Sequence, residues 1–132
     1  MANDHMTQLN RKGRAETTVT AANTAAALGS GSLPVFATPA LAALMEQAAV
    51  DALALAEGET SVGVRLDLAH TAPTPVGLKV WAEAEVTGGE GRSLTFRVSA
   101  ADERGPVAAG RHERVVVRAA DFLAKARARA EA

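Results

Sequence analysis

Residues 35–56 read VFATPALAALMEQAAVDALALA, apolar almost throughout, with Leu41, Leu44, Ala48 and Leu55 on one helical stripe. Thr38 followed by Pro39 marks a start, because threonine caps free N–H groups and proline is favoured at the first helical position. The helix is expected to run to about Ala56, with Gly58 closing it. The period then changes to two. In VGVRLDLAH, Val62, Val64, Leu66, Leu68 and His70 are expected on one face, and Gly63, Arg65 and Asp67 on the other. LKVWAEAEV sets Leu78, Val80, Ala82, Ala84 and Val86 against Lys79, Trp81, Glu83 and Glu85. After a turn at TGGEG, Leu94, Phe96, Val98 and Ala100 alternate with Thr95, Arg97 and Ser99. ADERGP turns the chain again, VAAGRHERVVVRA is a last long strand, and ADFLAKARARAEA is a short, basic, exposed helix. Upstream, residues 1–13 are polar and expected to be mobile, RAETTVTAAN offers a short first strand, and LGSGSLP is a flexible break suited to a lid.

The order is therefore strand, long helix, then four strands joined by tight turns, and hairpin-joined strands are antiparallel. A sheet with one apolar face must cover it, and the helix after Thr38 is the one element long and apolar enough. This predicts an α+β hot-dog fold, a sheet of about five strands wrapped around one helix, as a single domain over residues 14–132. One helix leaves edges and part of the sheet uncovered, so a homodimer joined through sheets or helices is expected.

The chain has 132 residues, enough for one compact domain. Its 14 basic and 15 acidic residues leave no electropositive field for nucleic acid. One Trp and three Phe make no base-stacking surface. Cysteine is absent, which excludes disulfides, thiolate metal sites and a Cys nucleophile, and fits a reducing compartment. The N-terminus has no apolar signal core, and Glu46, Gln47 and Asp51 interrupt the long apolar run, so no membrane span is expected. A cytoplasmic location follows as the simplest expectation.

Three residues carry a candidate chemical role beside a plain structural one. Glu46 sits in the apolar helix with Ala42, Ala43, Ala49 and Val50 as its helical neighbours and no cation on the segment to pair it. It either faces solvent beside Gln47 or is held where it can act as a general base. His70 ends a strand in register with core positions, and the rigid TAPTP turn follows it. Thr38 is explained as a helix cap, yet its hydroxyl also lies beside free N–H groups that would stabilise an oxyanion. Eight residues separate Thr38 from Glu46, about 12 Å along a helix, so direct contact between them is not expected. His5 lies in the polar arm, and His112 is read as structural or surface.

VFATPALAALMEQAA, SVGVRLDLAHTAPTPVG, EGRSLTFRVSAADERG and GRHERVVV together resemble the fluoroacetyl-CoA thioesterase-like branch of the hot-dog superfamily, from about residue 34 to 122. The resemblance implies acyl-CoA thioester hydrolysis by a homodimer, with active sites near the subunit interface and no cofactor beyond the CoA of the substrate. It places the catalytic threonine, glutamate and histidine on Thr38, Glu46 and His70. Gly63 and Arg114 are implicated in shaping the acyl pocket, and Phe36 joins them as a substrate-binding candidate. In the mechanism expected, Glu46 activates water or attacks directly, His70 serves the carbonyl oxygen or acts as acid and base, and Thr38 positions the carbonyl. Arg111, Arg118, Lys125 and Arg129 are cations available for CoA phosphates. LGSGSLP holds no aromatic residue, so selectivity for a fluorinated acyl group is not carried over. A non-catalytic acyl-CoA sequestering module and a hot-dog hydratase or dehydratase remain the alternatives.

Overall fold

The computed structural model describes residues 4–131. Strands β1 (Lys12–Thr18), β2 (Glu59–His70), β3 (Lys79–Glu90), β4 (Ser93–Asp102) and β5 (Gly105–Arg118) form one sheet. Its order is β1-β3-β4-β5-β2, every neighbouring pair antiparallel. The described residues also form the α-helices α1 (Asp4–Gln8), α2 (Ala25–Leu28), α3 (Thr38–Ala52) and α4 (Ala119–Glu131), with a short 3-10 helix at Ala21–Asn23. This is the hot-dog arrangement, with α3 wrapped by the sheet.

The core forms where the two periodicities meet. Leu41, Leu44, Met45, Ala48, Ala49 and Ala52 of α3 are buried against the inward positions of β3 and β4, among them Val80, Val86, Leu94, Phe96 and Val98. Small helix residues let the backbones approach closely. At Gly13 in β1 a Cβ would overlap the backbone of Ala48 and Ala52, so any side chain there would push the helix off the sheet. The outer face of the sheet is polar: Arg14 pairs with Glu83 and lies over the Trp81 ring, 5.2 Å from its centroid.

Four local expectations are corrected. First, α3 ends at Ala52, four residues before Ala56, because long-range partners take over its end. Arg11 Nε donates to the Ala52 carbonyl (2.7 Å), and Gln8 bonds both the N–H and the carbonyl of Ala54 (3.0 and 2.7 Å). The same bonds join the stretch before β1 to the domain: Gln8 is buried, and Lys12 and Gly13 belong to β1, while residues 1–3 of the segment 1–13 expected to be mobile lie outside the described residues. Second, TGGEG is not the hairpin turn. A register shift between Val86 and Gly88 leaves Thr87 outside the ladder, Gly88 and Gly89 pair with Thr95 and Leu94, β3 continues to Glu90, and the chain reverses at Gly91 and Arg92.

Third, Thr38 does not cap α3. Ala37 holds the cap position without a side-chain bond, and Thr38 is the first helical residue. Fourth, β2 does not alternate evenly. A bulge between Gly63 and Arg65 sets Val64 outside the ladder, and Val64 is 57% exposed. One extra residue inverts the parity of everything before it. Gly63 therefore shares its face with Leu66, Leu68 and His70, contrary to the even alternation expected.

Candidate active site

The segment before α3 and the turn after β2 are joined. Phe36 N–H donates to the Thr74 carbonyl (2.9 Å), and Val35 forms a bridge with Pro75. Thr74 is fully buried and donates to Asp102 (2.6 Å), which fixes the TAPTP turn to the end of β4. These links bring the first turn of α3 beside the last residue of β2, and Thr38 Oγ1 lies 2.8 Å from His70 Nδ1.

His70 Nε2 is buried and has no hydrogen-bond partner among the described residues. Burial lowers the His70 pKa, and the Ala72 backbone works weakly the other way. Burial thus favours the neutral imidazole. An open cleft of about 290 Å³ lies against this pair, lined by Val35, Phe36, Thr38, His70 and Ala72 among others. Ala37 at the cap position makes no side-chain bond to the helix, and Pro39 carries no N–H, so Thr38 and Ala40 are the first-turn residues whose N–H groups could serve a carbonyl oxygen.

Glu46 belongs to a second cluster, two turns along α3. Its Oε2 lies 3.4 Å from Arg114 Nη1 and 3.9 Å from His112 Nε2, and its side chain is 44% exposed. Arg114 and His112 are both buried, on the inward face of β5. Arg114 is held from the other side by Ser61, whose Oγ accepts from Nε (2.8 Å) and whose carbonyl accepts from Nη2 (3.0 Å). Burial lowers the Arg114 pKa, and the neighbouring Glu46 raises it in part. Gly63 faces the same group: a Cβ there would overlap Glu46 Oε2 and stand 3.3 Å from Arg114 Nη1.

The expected site residues thus fall into two groups. Thr38, His70 and Phe36 share a cleft; Glu46, Gly63 and Arg114 share a charged cluster. Among the described residues no hydrogen bond or ion pair joins Glu46 to Thr38 or His70, in keeping with the spacing of eight residues. The cation missing from the helix segment comes from β5. Of the two readings given to His112, structural or surface, its burial excludes the surface one: it packs beside Arg114 in the Glu46 cluster. Its signal was in the sequence, since it stands two residues from Arg114 on an alternating strand. Ser61 had none, because the bulge hid its face.

Both site imidazoles are held neutral. For His112 burial dominates the lowering, reinforced by Arg114 and opposed by the Arg65 carbonyl, Glu46 and Glu113. The unfolded chain therefore takes up protons first as the pH falls through 6.5, the ordinary histidine value, so stability is full above that pH and is lost below it. Urea midpoints measured from pH 8 to 5 are expected to stay level above pH 7 and fall steadily below 6.5. A midpoint that rose on acidification would contradict the neutral imidazoles.

Among the described residues no group of three His, Asp or Glu side chains could hold a metal ion. No helix among them is long and apolar enough to cross a membrane.

The family model described as FlK, fluoroacetyl-CoA-specific thioesterase, matches residues 19–120. A fluoroacetyl-CoA thioesterase of Streptantibioticus cattleyicolor is 46% identical over 95 residues, covering 70% of this chain and 68% of that protein. A crystal structure of a variant of the fluoroacetyl-CoA-specific thioesterase FlK has a TM-score of 0.84 at 36% identity, covering 92% of this chain and 96% of that one. A thioesterase superfamily member from Thermus thermophilus has a TM-score of 0.86 at 30% identity, covering 93% of each chain. With this coverage, and with the motif residues gathered as described, the chain belongs to the fluoroacetyl-CoA-specific thioesterase family of the hot-dog fold.

Proposed function

We propose that this protein hydrolyses a small or medium acyl-CoA to the free acid and CoA, with Thr38, Glu46 and His70 as its catalytic residues. The observation that carries the reading is the Thr38–His70 contact (2.8 Å) at a cleft into which an uncapped helix start also opens. A neutral imidazole that accepts from Thr38 at Nδ1 carries its proton at Nε2. That atom is buried beside the cleft, so substrate entry must uncover it before it serves the acyl oxygen, and the first-turn N–H groups add to that oxyanion hole. Glu46 supplies the negative charge that activates water or attacks the carbonyl carbon. The tetrahedral intermediate then collapses with loss of CoA thiolate, a fair leaving group that needs little protonation. On the water route this yields the free acid at once, and on the direct route it leaves an acyl anhydride on Glu46 that water hydrolyses to the acid and the restored carboxylate.

Phe36, Gly63 and Arg114 shape the acyl pocket in this reading. The loop over residues 28–34 carries Leu28 and Leu33 as its large apolar side chains, both exposed, and no aromatic ring. A lid of that composition suits a plain acyl group rather than selection of fluoroacetyl.

The enzyme is proposed to act as a cytoplasmic homodimer. β2 is a long edge strand, paired on one side only, with Val64 exposed near its middle. Antiparallel pairing of two β2 edges centred between Leu66 and Asp67, just beyond Val64, would set His70 of each copy opposite Gly63 of the other. That arrangement closes the gap between the Thr38–His70 pair of one copy and the Glu46 cluster of the other.

Free-thiol release from a panel of short and medium acyl-CoAs tests the activity, and sedimentation tests the dimer. Turnover of at least one thioester is expected. Tight acyl-CoA binding with no thiol released from any member would replace this reading with a sequestering module.

A further inference from the structure

The Glu46 cluster contains one buried group that the mechanism above does not use. His112 is 1% exposed, and its ring packs on Phe96 with centroids 5.7 Å apart. Its Nε2 lies 3.1 Å from Arg114 Nη1, and its Nδ1 lies 2.8 Å from the Arg65 carbonyl. A guanidinium can only donate, so Nε2 must accept. A carbonyl can only accept, so Nδ1 must carry the proton. The two neighbours admit one state, a neutral ring protonated at Nδ1.

The Arg65 carbonyl is no ordinary acceptor. Arg65 is the residue at which β2 resumes its register after the bulge, and that bulge turns Gly63 towards Glu46. Glu46 itself is 3.9 Å from His112 Nε2, too far for a hydrogen bond, with Arg114 Nη1 within reach of both. His112 therefore touches the carboxylate through two intermediaries, the bulge and the guanidinium.

We propose that His112 is a positioning residue: its Nδ1–H pins the β2 bulge and its Nε2 aims Arg114, so that Glu46 is held over Gly63 in one orientation. The inference rests on the reading of Glu46 as catalytic for its kinetic consequence, but not for the ring state or the bulge. Replacing the ring should then lower turnover and leave substrate affinity nearly unchanged. His112→Asn keeps a donor near Nδ1 and removes the acceptor for Arg114, whereas His112→Ala removes both.

Two measurements decide it. Imidazole ¹⁵N spectra of the wild-type protein at pH 7.5 are expected to show His112 protonated at Nδ1 and bare at Nε2. Thiol-release kinetics are expected to show kcat lowered on the order of 100-fold in His112→Ala and roughly tenfold in His112→Asn, with KM within about threefold in both. A ring protonated at Nε2, or at both nitrogens, overturns the proposal without use of any substrate. So does a folded His112→Ala protein with wild-type kcat, or one whose loss lies wholly in KM. If the wild-type protein releases no thiol at all, the hydrolase reading fails instead, and the spectrum still decides whether His112 grips the bulge.

Discussion

Replacing Glu46 by glutamine is expected to lower thioester hydrolysis by at least about 100-fold, the scale of losing a positioned acid, base or nucleophile. The substitution is nearly isosteric. Glutamine retains a carbonyl oxygen that can accept from Arg114 Nη1, so the 3.4 Å contact has a neutral replacement. What it removes is the charge that can take a proton from water or attack a carbonyl carbon. Stability should hardly respond: the carboxylate is 44% exposed, and partly exposed ion pairs contribute about 0–1 kcal/mol. Loss of activity at an unchanged thermal midpoint is therefore the expected signature, read by thiol release beside a melting curve. Turnover within about threefold of wild type would remove Glu46 from the chemistry and leave it as a polar residue on a helix, because loss of such a group costs at least ~100-fold.

The same residue shows where sequence reading succeeds and where it stops. The inward faces of β3 and β4 were legible because Val80, Ala82, Ala84 and Val86, and Leu94, Phe96, Val98 and Ala100, alternate without interruption. The end of α3 was not, because Gln8 and Arg11 reach it from more than forty residues away, and no local signal marks them. Thr38 carried a correct hint for a partly wrong reason. As a cap it would have spent its hydroxyl on the helix, whereas as the first helical residue it reaches His70.

The face of β2 was the largest misreading, and it bears directly on the site. Strict alternation puts Gly63 with Arg65 and Asp67, away from the helix. The bulge reverses this and sets Ser61 and Gly63 towards Arg114. A bulge leaves little trace in a sequence beyond a small residue beside it, and Gly63 was that trace. Which of the two readings of His112 holds was not legible for a related reason: its parity with Arg114 was visible, but its burial rests on Phe96 from β4 and on the Arg65 carbonyl from β2, both distant in sequence.

Gly63→Ala should consequently separate activity from stability. The added methyl would overlap Glu46 Oε2 first, and would stand 3.3 Å from both Arg114 Nη1 and His112 Cε1. Gly63 lies outside the left-handed backbone region, so alanine brings no conformational strain there. The nearest atom is the tip of a flexible, half-exposed side chain, and it can swing aside into solvent. Gly13 differs, since there the overlap is with helix backbone that cannot yield. The fold should therefore tolerate alanine at Gly63, with a midpoint close to wild type. Glu46 cannot keep its place, however, and a displacement of about 1 Å at a reacting group is worth on the order of 100-fold in rate. The expected result is kcat reduced on that scale at a nearly constant melting temperature, measured on the best substrate of the acyl-CoA panel. A folded Gly63→Ala enzyme with full kcat would mean that Glu46 does its chemistry from an orientation other than the one packed over Gly63.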